Sequence, residues 1–157
     1  PGGVRDAVDL ARLVGDALLL HAAVLERHGV QVERDLPPAP PVAADPGLVV
    51  HVLANLVGNA IEAMAATPRD ARCLRVALAR VGAASELSIA DSGEGFAPER
   101  AATLFRFGAS TKPDGHGFGL HWCASAMQAM GGAIRADSDG PGRGARFTLV
   151  FPDRDGR

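Results

Sequence analysis

The sequence predicts an α/β domain, and two periodicities carry that prediction. Strand-like alternation of apolar and polar residues recurs in five short segments: 30–34, 74–81, 87–90, 133–136 and 145–151. Apolar residues recur at helical spacing in three longer segments: 6–28, 45–64 and 117–130. The chain has 157 residues, of which 47% are hydrophobic and 22% charged, which suits one buried core. We therefore expect residues 1–157 to form a single domain.

The N-terminal part predicts a helix, a strand and a rigid connection. Gly29 ends the first amphipathic helix, since glycine commonly terminates helices. Residues 30–34 follow as a strand, and residues 36–41 read Leu-Pro-Pro-Ala-Pro-Pro. Proline lacks the backbone N–H that helices and central strands require, so we expect a stiff surface connection there.

The second helix carries the first candidate for a functional surface. Asp45 provides a capping carboxylate, and Pro46 suits the first helical position. A broad apolar stripe follows, and Asn55, Asn59 and Glu62 lie apart from it. Asn55 and Asn59 are four residues apart and therefore share one face. Because the other faces are densely apolar, we expect this face to line a cavity, where an amide oxygen can bind magnesium.

A predicted β-hairpin delivers the second candidate. Its strands are residues 74–81 and 87–90, and the second strand ends at Asp91. A carboxylate at this strand end can accept a hydrogen bond from the exocyclic amine of adenine, which guanine lacks at that position. Gly93 and Gly95 leave room for the backbone to approach a flat base. Taken alone, the Asp-Ser-Gly sequence would also suit an ordinary turn.

The third candidate is a glycine-rich segment that opens the last helix. Residues 92–116 are rich in Gly, Pro and Ser, with a short helical piece near 98–105. So long a loop in a compact domain is typical of a lid or binding loop, and we expect a lid at 96–116. Backbone N–H groups at the start of helix 117–130 favour an anion. The glycine spacing argues against a dinucleotide-binding Rossmann loop, and the sequence has no Walker motif.

Together, segments 55–64, 91–95 and 115–120 resemble the N, G1 and G2 boxes of the ATP-binding fold shared by sensor histidine kinases, gyrase, the heat-shock chaperone ATPases and the mismatch-repair ATPases. Residues 104–112 resemble the F box of that family, and 140–147 its trailing glycine-rich segment. The resemblance implies the Bergerat fold: an α/β two-layer sandwich of a mixed five-stranded β-sheet packed on about three helices, with an ATP lid.

The histidine-kinase branch of the family is favoured. The hydrolysing branches place a glutamate, the general base for water, one helical turn before the metal-binding asparagine. This chain has Asn55 there, and an amide cannot take a proton at neutral pH. The chain also departs from the kinase pattern, with Glu62 where many kinases carry Lys or Arg. Ala145 stands where a Thr or Ser often contacts adenine through water, so base binding rests more on Asp91.

The resemblance implies ATP and Mg2+ as cofactors and assigns residues to them. Asn59 is expected to bind the metal and, with Lys112, to act in phosphoryl transfer. Lys112 is the only lysine in the chain and can bring a positive charge to the phosphates. The residues expected to bind the nucleotide are Asn55, Asn59, Asp91, Gly93, Gly95, Phe105, Thr111, Lys112, Gly115, His116, Gly117, Phe118, Gly119 and Leu120.

The expected function is that of the catalytic domain of a two-component sensor histidine kinase. It would transfer the ATP γ-phosphoryl to a histidine on a separate phosphoacceptor and dimerisation domain, with a response regulator as partner. The full-length protein is expected to be a homodimer, the present chain a monomer. Two alternatives stay open: a non-catalytic nucleotide-binding regulatory module, and a serine kinase of the same fold that resembles anti-sigma factors.

Other features limit the function. The formal net charge of −2 gives no general attraction to nucleic acid. Cys73 and Cys123 lack metal-ligand spacing, and reduced buried thiols suit a cytoplasmic location. No apolar run of about 18 residues suggests a membrane span. Because the chain starts at Pro1 without Met, we expect it to be part of a longer protein that can be membrane-anchored. No histidine has the sequence context of a phosphoacceptor.

Overall fold

The computed structural model describes residues 6–106 and 117–153. The helices are α1 (Leu10–Leu20), α2 (Ala22–Arg27), α3 (Pro46–Ala63) and α4 (Gly117–Ala129), with short 3-10 helices at Arg69–Ala71 and Pro98–Thr103. The strands are β1 (Asp6–Val8), β2 (Gln31–Asp35), β3 (Val42–Ala44), β4 (Cys73–Val81), β5 (Ala84–Asp91), β6 (Ala133–Asp137) and β7 (Ala145–Pro152).

The main sheet has five strands in the order β2-β4-β5-β7-β6. β2 runs parallel to β4, and the other neighbours are antiparallel, so the sheet is mixed as predicted. Alternation along β5 buries Leu87 and Ile89 on the helical side. At the end of β5, Asp91 pairs with Leu74 of β4 and Ala145 of β7.

Helix α3 is the centre of the helical layer. Asp45 caps it, because its carboxylate accepts from the N–H groups of Gly47 at 3.0 Å and Leu48 at 3.2 Å. Its apolar stripe is buried against α1, α4 and the sheet. By length and composition alone, α3 is the one described helix that could also cross a membrane. Its apolar residues pack in this core, and its length and composition correct the expectation that no such run exists.

The prediction of one N-terminal helix over residues 6–28 is wrong at the start and in the middle of that range. Residues 6–8 form β1, which pairs with β3 in a separate two-stranded antiparallel sheet. The helix begins only at Leu10, where Asp9 caps the N–H groups of Ala11 and Arg12. A break at His21 then divides α1 from α2, and Nδ1 of His21 hydrogen-bonds the carbonyl of Ala17 at 2.9 Å.

Apart from the 3-10 helix Arg69–Ala71, which the sequence analysis did not predict, the remaining elements differ from the prediction only at their ends. The hairpin turn is tighter, with Gly82 at φ +60° and β5 beginning at Ala84. The helical piece expected near 98–105 is the 3-10 helix Pro98–Thr103. α4 ends at Ala129, and Gly131 with φ +79° prevents its continuation.

Candidate functional site

The polar face of α3 is partly enclosed. Asn55, Asn59 and Glu62 are each half-buried, between fully buried apolar neighbours. Asn55 Nδ2 donates to the carbonyl of His51 at 3.2 Å, which leaves its Oδ1 towards α4. A Cβ added to Gly119 would lie 3.3 Å from that Oδ1. The first turn of α4 therefore lies directly against Asn55, and two of the predicted boxes meet there.

The loop after β5 packs against the other end of the same face. The N–H of Glu94 donates to the carbonyl of Ala63, the last residue of α3, at 2.8 Å. A Cβ on Gly93 would clash with that same carbonyl. Ala63 lies four residues after Asn59, and Asn59 lies four after Asn55, so all three share one face. Asn59 thus occupies the turn between the start of α4 and the Asp91 loop.

Asp91 is placed where the sequence predicted it, at the end of β5. Its Oδ1 accepts a hydrogen bond from the N–H of Gly93 at 2.8 Å, which orders the carboxylate and the loop together. The next residue is anchored as well: Ser92 Oγ donates to the carbonyl of Ala71 at 2.7 Å and accepts from the N–H of Cys73 at 2.9 Å. Hydrogen bonds at both Asp91 and Ser92 therefore fix the end of β5.

A second glycine-rich loop, residues 138–144, is joined to the Asp91 loop. Gly144 N–H donates to the carbonyl of Gly93 at 3.0 Å, and Gly142 N–H donates to that of Glu94 at 2.6 Å. Ser138 Oγ accepts from the N–H of Phe96 at 3.1 Å and donates to the carbonyl of Gly144 at 2.7 Å. Ser138 and Gly144 were absent from the predicted site. The glycine run before the last strand was the available signal.

These contacts explain why glycine occupies these positions, in addition to the predicted approach of a flat base. Gly95 has φ +59°, and a Cβ there would lie 2.5 Å from the carbonyl oxygen of Gly140. Gly144 has φ +70° and lies against the backbone of Asp91. Gly93 is required by the carbonyl of Ala63. Packing between the two loops and α3 already excludes side chains at these positions, whatever the loops bind.

Aromatic residues flank the start of α4. Phe105 packs edge-to-face on Phe147 of β7, with ring centroids 6.2 Å apart, and His121 Nδ1 lies 3.1 Å from the carbonyl oxygen of Phe105. On the other side, the rings of His51 and Trp122 pack at a tilt of 38° with centroids 4.1 Å apart. Phe105 therefore contacts the core through its ring.

Several predicted residues lie outside the described part of the chain: Thr111, Lys112, Gly115 and His116. Gly117 and Phe118 belong to the first turn of α4, and Gly119 and Leu120 follow them as half-buried residues of that helix. Within residues 6–106 and 117–153, no three His, Cys, Asp or Glu side chains cluster as metal ligands.

Asp91, Gly144 and Ala145 line one side of a cavity of about 250 Å³. Ala90 and Arg146, which pair across β5 and β7, line it on the face of the sheet away from the helices. Asp137, Asp139 and Arg143 complete its charged wall. No residue of α3 or α4 contributes to it.

The thiol of Cys123 belongs to the core behind the site. It is fully buried, and its Sγ lies 3.9 Å from the carbonyl oxygen of Val52, so α4 packs closely on α3. Burial disfavours the thiolate and raises the pKa of Cys123 to about 12. Burial also raises the pKa of Cys73, with the neighbouring Glu33 adding to the shift. Neither cysteine has the environment of a reactive thiolate.

The central helix α3 carries two asparagines on its polar face and packs between the Asp91 loop and the start of α4. These elements pack on a mixed sheet. Such an arrangement is that of a two-layer ATP-binding domain. Residues 44–155 match the sequence profile of the histidine kinase-, DNA gyrase B- and HSP90-like ATPases. The chain belongs to this family, which confirms the resemblance predicted from its motifs.

Similar proteins lie in the histidine-kinase branch. The C4-dicarboxylate transport sensor protein DctS of Rhodobacter capsulatus is 39% identical over 149 residues, which are 93% of this chain and 22% of that protein. The nucleotide-free catalytic domain of the histidine kinase ThkA has the same fold, with a TM-score of 0.85 at 23% identity over 99% of this chain and 100% of that one. Full-length ShkA in complex with AMPPNP gives a TM-score of 0.83 at 25% identity, over 98% of this chain and 32% of that one.

The chain is short beside its relatives. It spans 22% of DctS and 20% of the nitrogen regulation protein NtrY of Azorhizobium caulinodans, to which it is 32% identical over 96% of its own length. Its length matches that of the ThkA catalytic domain, all of which it covers.

Proposed function

We propose that this chain is the ATP-binding catalytic domain of a two-component sensor histidine kinase, and that it presents the γ-phosphoryl of Mg-ATP to a histidine on another domain. The observation that carries the proposal is the common face of α3. Gly119 of α4 lies at Asn55, and the Asp91 loop lies at Ala63, with Asn59 one turn from each. A turn of helix rises about 5.4 Å, so the three groups are spaced on the scale of one nucleotide.

Each part of the site suits one part of ATP. Asp91 would accept from the exocyclic amine of adenine. The half-buried Asn59 would offer its amide oxygen to magnesium, a hard cation that prefers oxygen ligands. The first turn of α4, from Gly117, would bind phosphate through its backbone N–H groups. Thr111, Lys112, Gly115 and His116 would extend this phosphate site.

The proposed reaction is transfer to a protein rather than to water. Asn55 donates to the carbonyl of His51 and faces Gly119, so it acts as a structural amide and cannot serve as a base. Phosphoryl transfer depends mainly on positioning and charge stabilisation, which asparagine, magnesium and helix N–H groups can supply. The relation to DctS supports this branch.

The partners follow from the same proposal. The acceptor histidine would lie on a phosphoacceptor and dimerisation domain of the full-length protein, which would be a homodimer. A response regulator would then receive the phosphoryl group. The present domain would work in the cytoplasm, where ATP and the response regulator are found, and the full-length protein can be anchored in a membrane.

The test uses the 157-residue chain and the full-length protein in parallel. The chain alone should bind Mg-ATP in a calorimetric titration and release phosphate far more slowly than the roughly 1 s⁻¹ typical of slower enzymes. The full-length protein should incorporate the γ-phosphoryl in an acid-labile, base-stable form, as a phosphoramidate requires. Acid-stable labelling would favour the serine kinase, binding without labelling would favour the regulatory module, and rapid hydrolysis by the chain would restore the ATPase branch.

A further inference from the structure

Phe105 is held at two points, and one of them is His121. The Nδ1 atom of His121 lies 3.1 Å from the carbonyl oxygen of Phe105. The ring of Phe105 packs on Phe147 with an interplanar angle of 87°. Phe147 belongs to the buried core of β7. Phe105 is therefore tied to the sheet through its ring and to α4 through its carbonyl.

The chemistry of this contact determines which atom of His121 carries the proton. A carbonyl oxygen only accepts hydrogen bonds, so Nδ1 must be the donor. His121 lies two residues after Gly119, where an added Cβ would lie 3.3 Å from Oδ1 of Asn55. The start of α4 therefore lies close to α3 at Gly119 and is hydrogen-bonded to Phe105 through His121.

We propose that His121 is a positioning residue for phosphate binding, acting through its Nδ1 bond to Phe105. The inference rests on the proposed function, in which the start of α4 binds the phosphates of ATP. Helix N–H groups stabilise an anion only when their positions are fixed relative to it, and displacements of about 1 Å are costly. Loss of the Nδ1 bond removes one of the contacts that hold the start of α4 in place.

Three variants separate this role from general stability. In His121→Asn, the side-chain amide nitrogen is bonded to Cγ, as Nδ1 is, and can reach the Phe105 carbonyl. In His121→Gln, the amide nitrogen reaches the position of Nε2 instead. His121→Ala removes both. We expect His121→Asn to bind ATP nearly as the unaltered chain does, and His121→Gln and His121→Ala to bind about tenfold more weakly, the loss expected for one hydrogen bond.

Two controls make the result specific. Adenosine, which lacks phosphates, should bind all variants equally in the same calorimetric titration, because Asp91 is untouched. Helix propensity favours Gln over Asn, so a merely structural role would give the opposite order of the two variants. Melting temperatures recorded for each variant identify any that is unfolded.

The inference would be overturned by equal ATP affinity in all variants, by retention in His121→Gln with loss in His121→Asn, or by parallel loss of adenosine binding. In each of these cases the unaltered chain still binds ATP, and the proposed function stands. If the unaltered chain does not bind ATP, both the proposed function and the inference fail.

Discussion

Glu94 and Ala63 join the Asp91 loop to the end of the central helix: the N–H of Glu94 donates to the carbonyl of Ala63 at 2.8 Å. Carbonyls in the last turn of a helix have no partner within it, and this loop supplies one. The same carbonyl excludes a side chain at Gly93. The backbone of the loop that carries Asp91 is therefore hydrogen-bonded directly to the end of the helix that carries Asn59.

Because Gly144 lies close to the backbone of Asp91, adding a methyl group at Gly144 should lower the free energy of unfolding substantially. In Gly144→Ala the Cβ would clash with the carbonyl of Asp91, in addition to the strain of φ +70°. Gly142→Ala is the matched control, because φ is +78° but no atom lies within 4 Å of the added Cβ. We expect the control to lose roughly 1–2 kcal/mol of unfolding free energy, and Gly144→Ala at least about twice that. Urea unfolding followed by circular dichroism measures both; equal losses would contradict the close packing.

Asp91→Asn tests the adenine contact. The amide Oδ1 can still accept from the N–H of Gly93, so the loop should keep its conformation. The charge and one acceptor are lost, and we expect ATP affinity to fall by about 2 kcal/mol or more, as for a broken hydrogen bond to a charged group. Asp137→Asn, on the exposed face of β6, is the control and should bind normally. Unchanged ATP binding in Asp91→Asn would show that the base lies elsewhere.

Asn59→Ala and Asn55→Ala form a second pair. Alanine favours helix more than asparagine does, so α3 should persist in both variants. Asn59→Ala should remove the increase in ATP affinity that magnesium gives and abolish phosphorylation of the full-length protein. Asn55→Ala should reduce phosphorylation less. Titrations with and without magnesium, beside a phosphorylation assay, decide this; a normal magnesium effect in Asn59→Ala would place the metal elsewhere.

Because the thiol of Cys123 is buried, we expect the free energy of unfolding to fall at alkaline pH. Burial raises the pKa of Cys123 from 9.0 to about 12, so above pH 9 its thiol ionises in the unfolded chain before it does in the folded one. The stability that the neutral thiol contributes is full below about pH 9 and is lost between about pH 9 and 12. At pH 10.5 we expect a loss of roughly 2 kcal/mol.

The control for this prediction is Cys73→Ala, which leaves Cys123 in place and should keep most of the alkaline fall. Cys123→Ala should flatten it, even if the variant is less stable throughout. The chain has no tyrosine, so few other groups titrate in this range. Urea midpoints at pH 8 and 10.5 under reducing conditions measure the effect, and an equal alkaline fall in Cys123→Ala would assign it to another group.

Elements with strong local signals were predictable. α3 follows from the cap Asp45, the proline after it and a long apolar stripe, and the structure shows that cap in its hydrogen bonds. The hairpin that ends at Asp91 follows from alternation over many residues. Local hydrogen bonding and side-chain periodicity act within a few residues, so the sequence displays them directly.

Other elements depend on partners far along the chain. β1 and β3 are three residues each, too short for alternation to identify, and they exist because Asp6 to Val8 pair with residues 42–44. The break at His21 likewise escaped the helical pattern, which continues across it. Short strands gain their stability from pairing rather than from their own sequence.

By itself, the sequence determined which residue types the site would contain and in what order: two asparagines on one helical face, an aspartate at a strand end and glycines before a helix. Only the tertiary structure decided how they meet. Gly119 lies near Asn55 and Glu94 is bonded to Ala63, so Asn59 falls between the start of α4 and the Asp91 loop. The tertiary structure also joins residues 138–144 to the Asp91 loop through backbone hydrogen bonds. Such bonds between distant segments depend on the packing of the whole sheet. The only sign of them in the sequence is the glycine that the close approach requires.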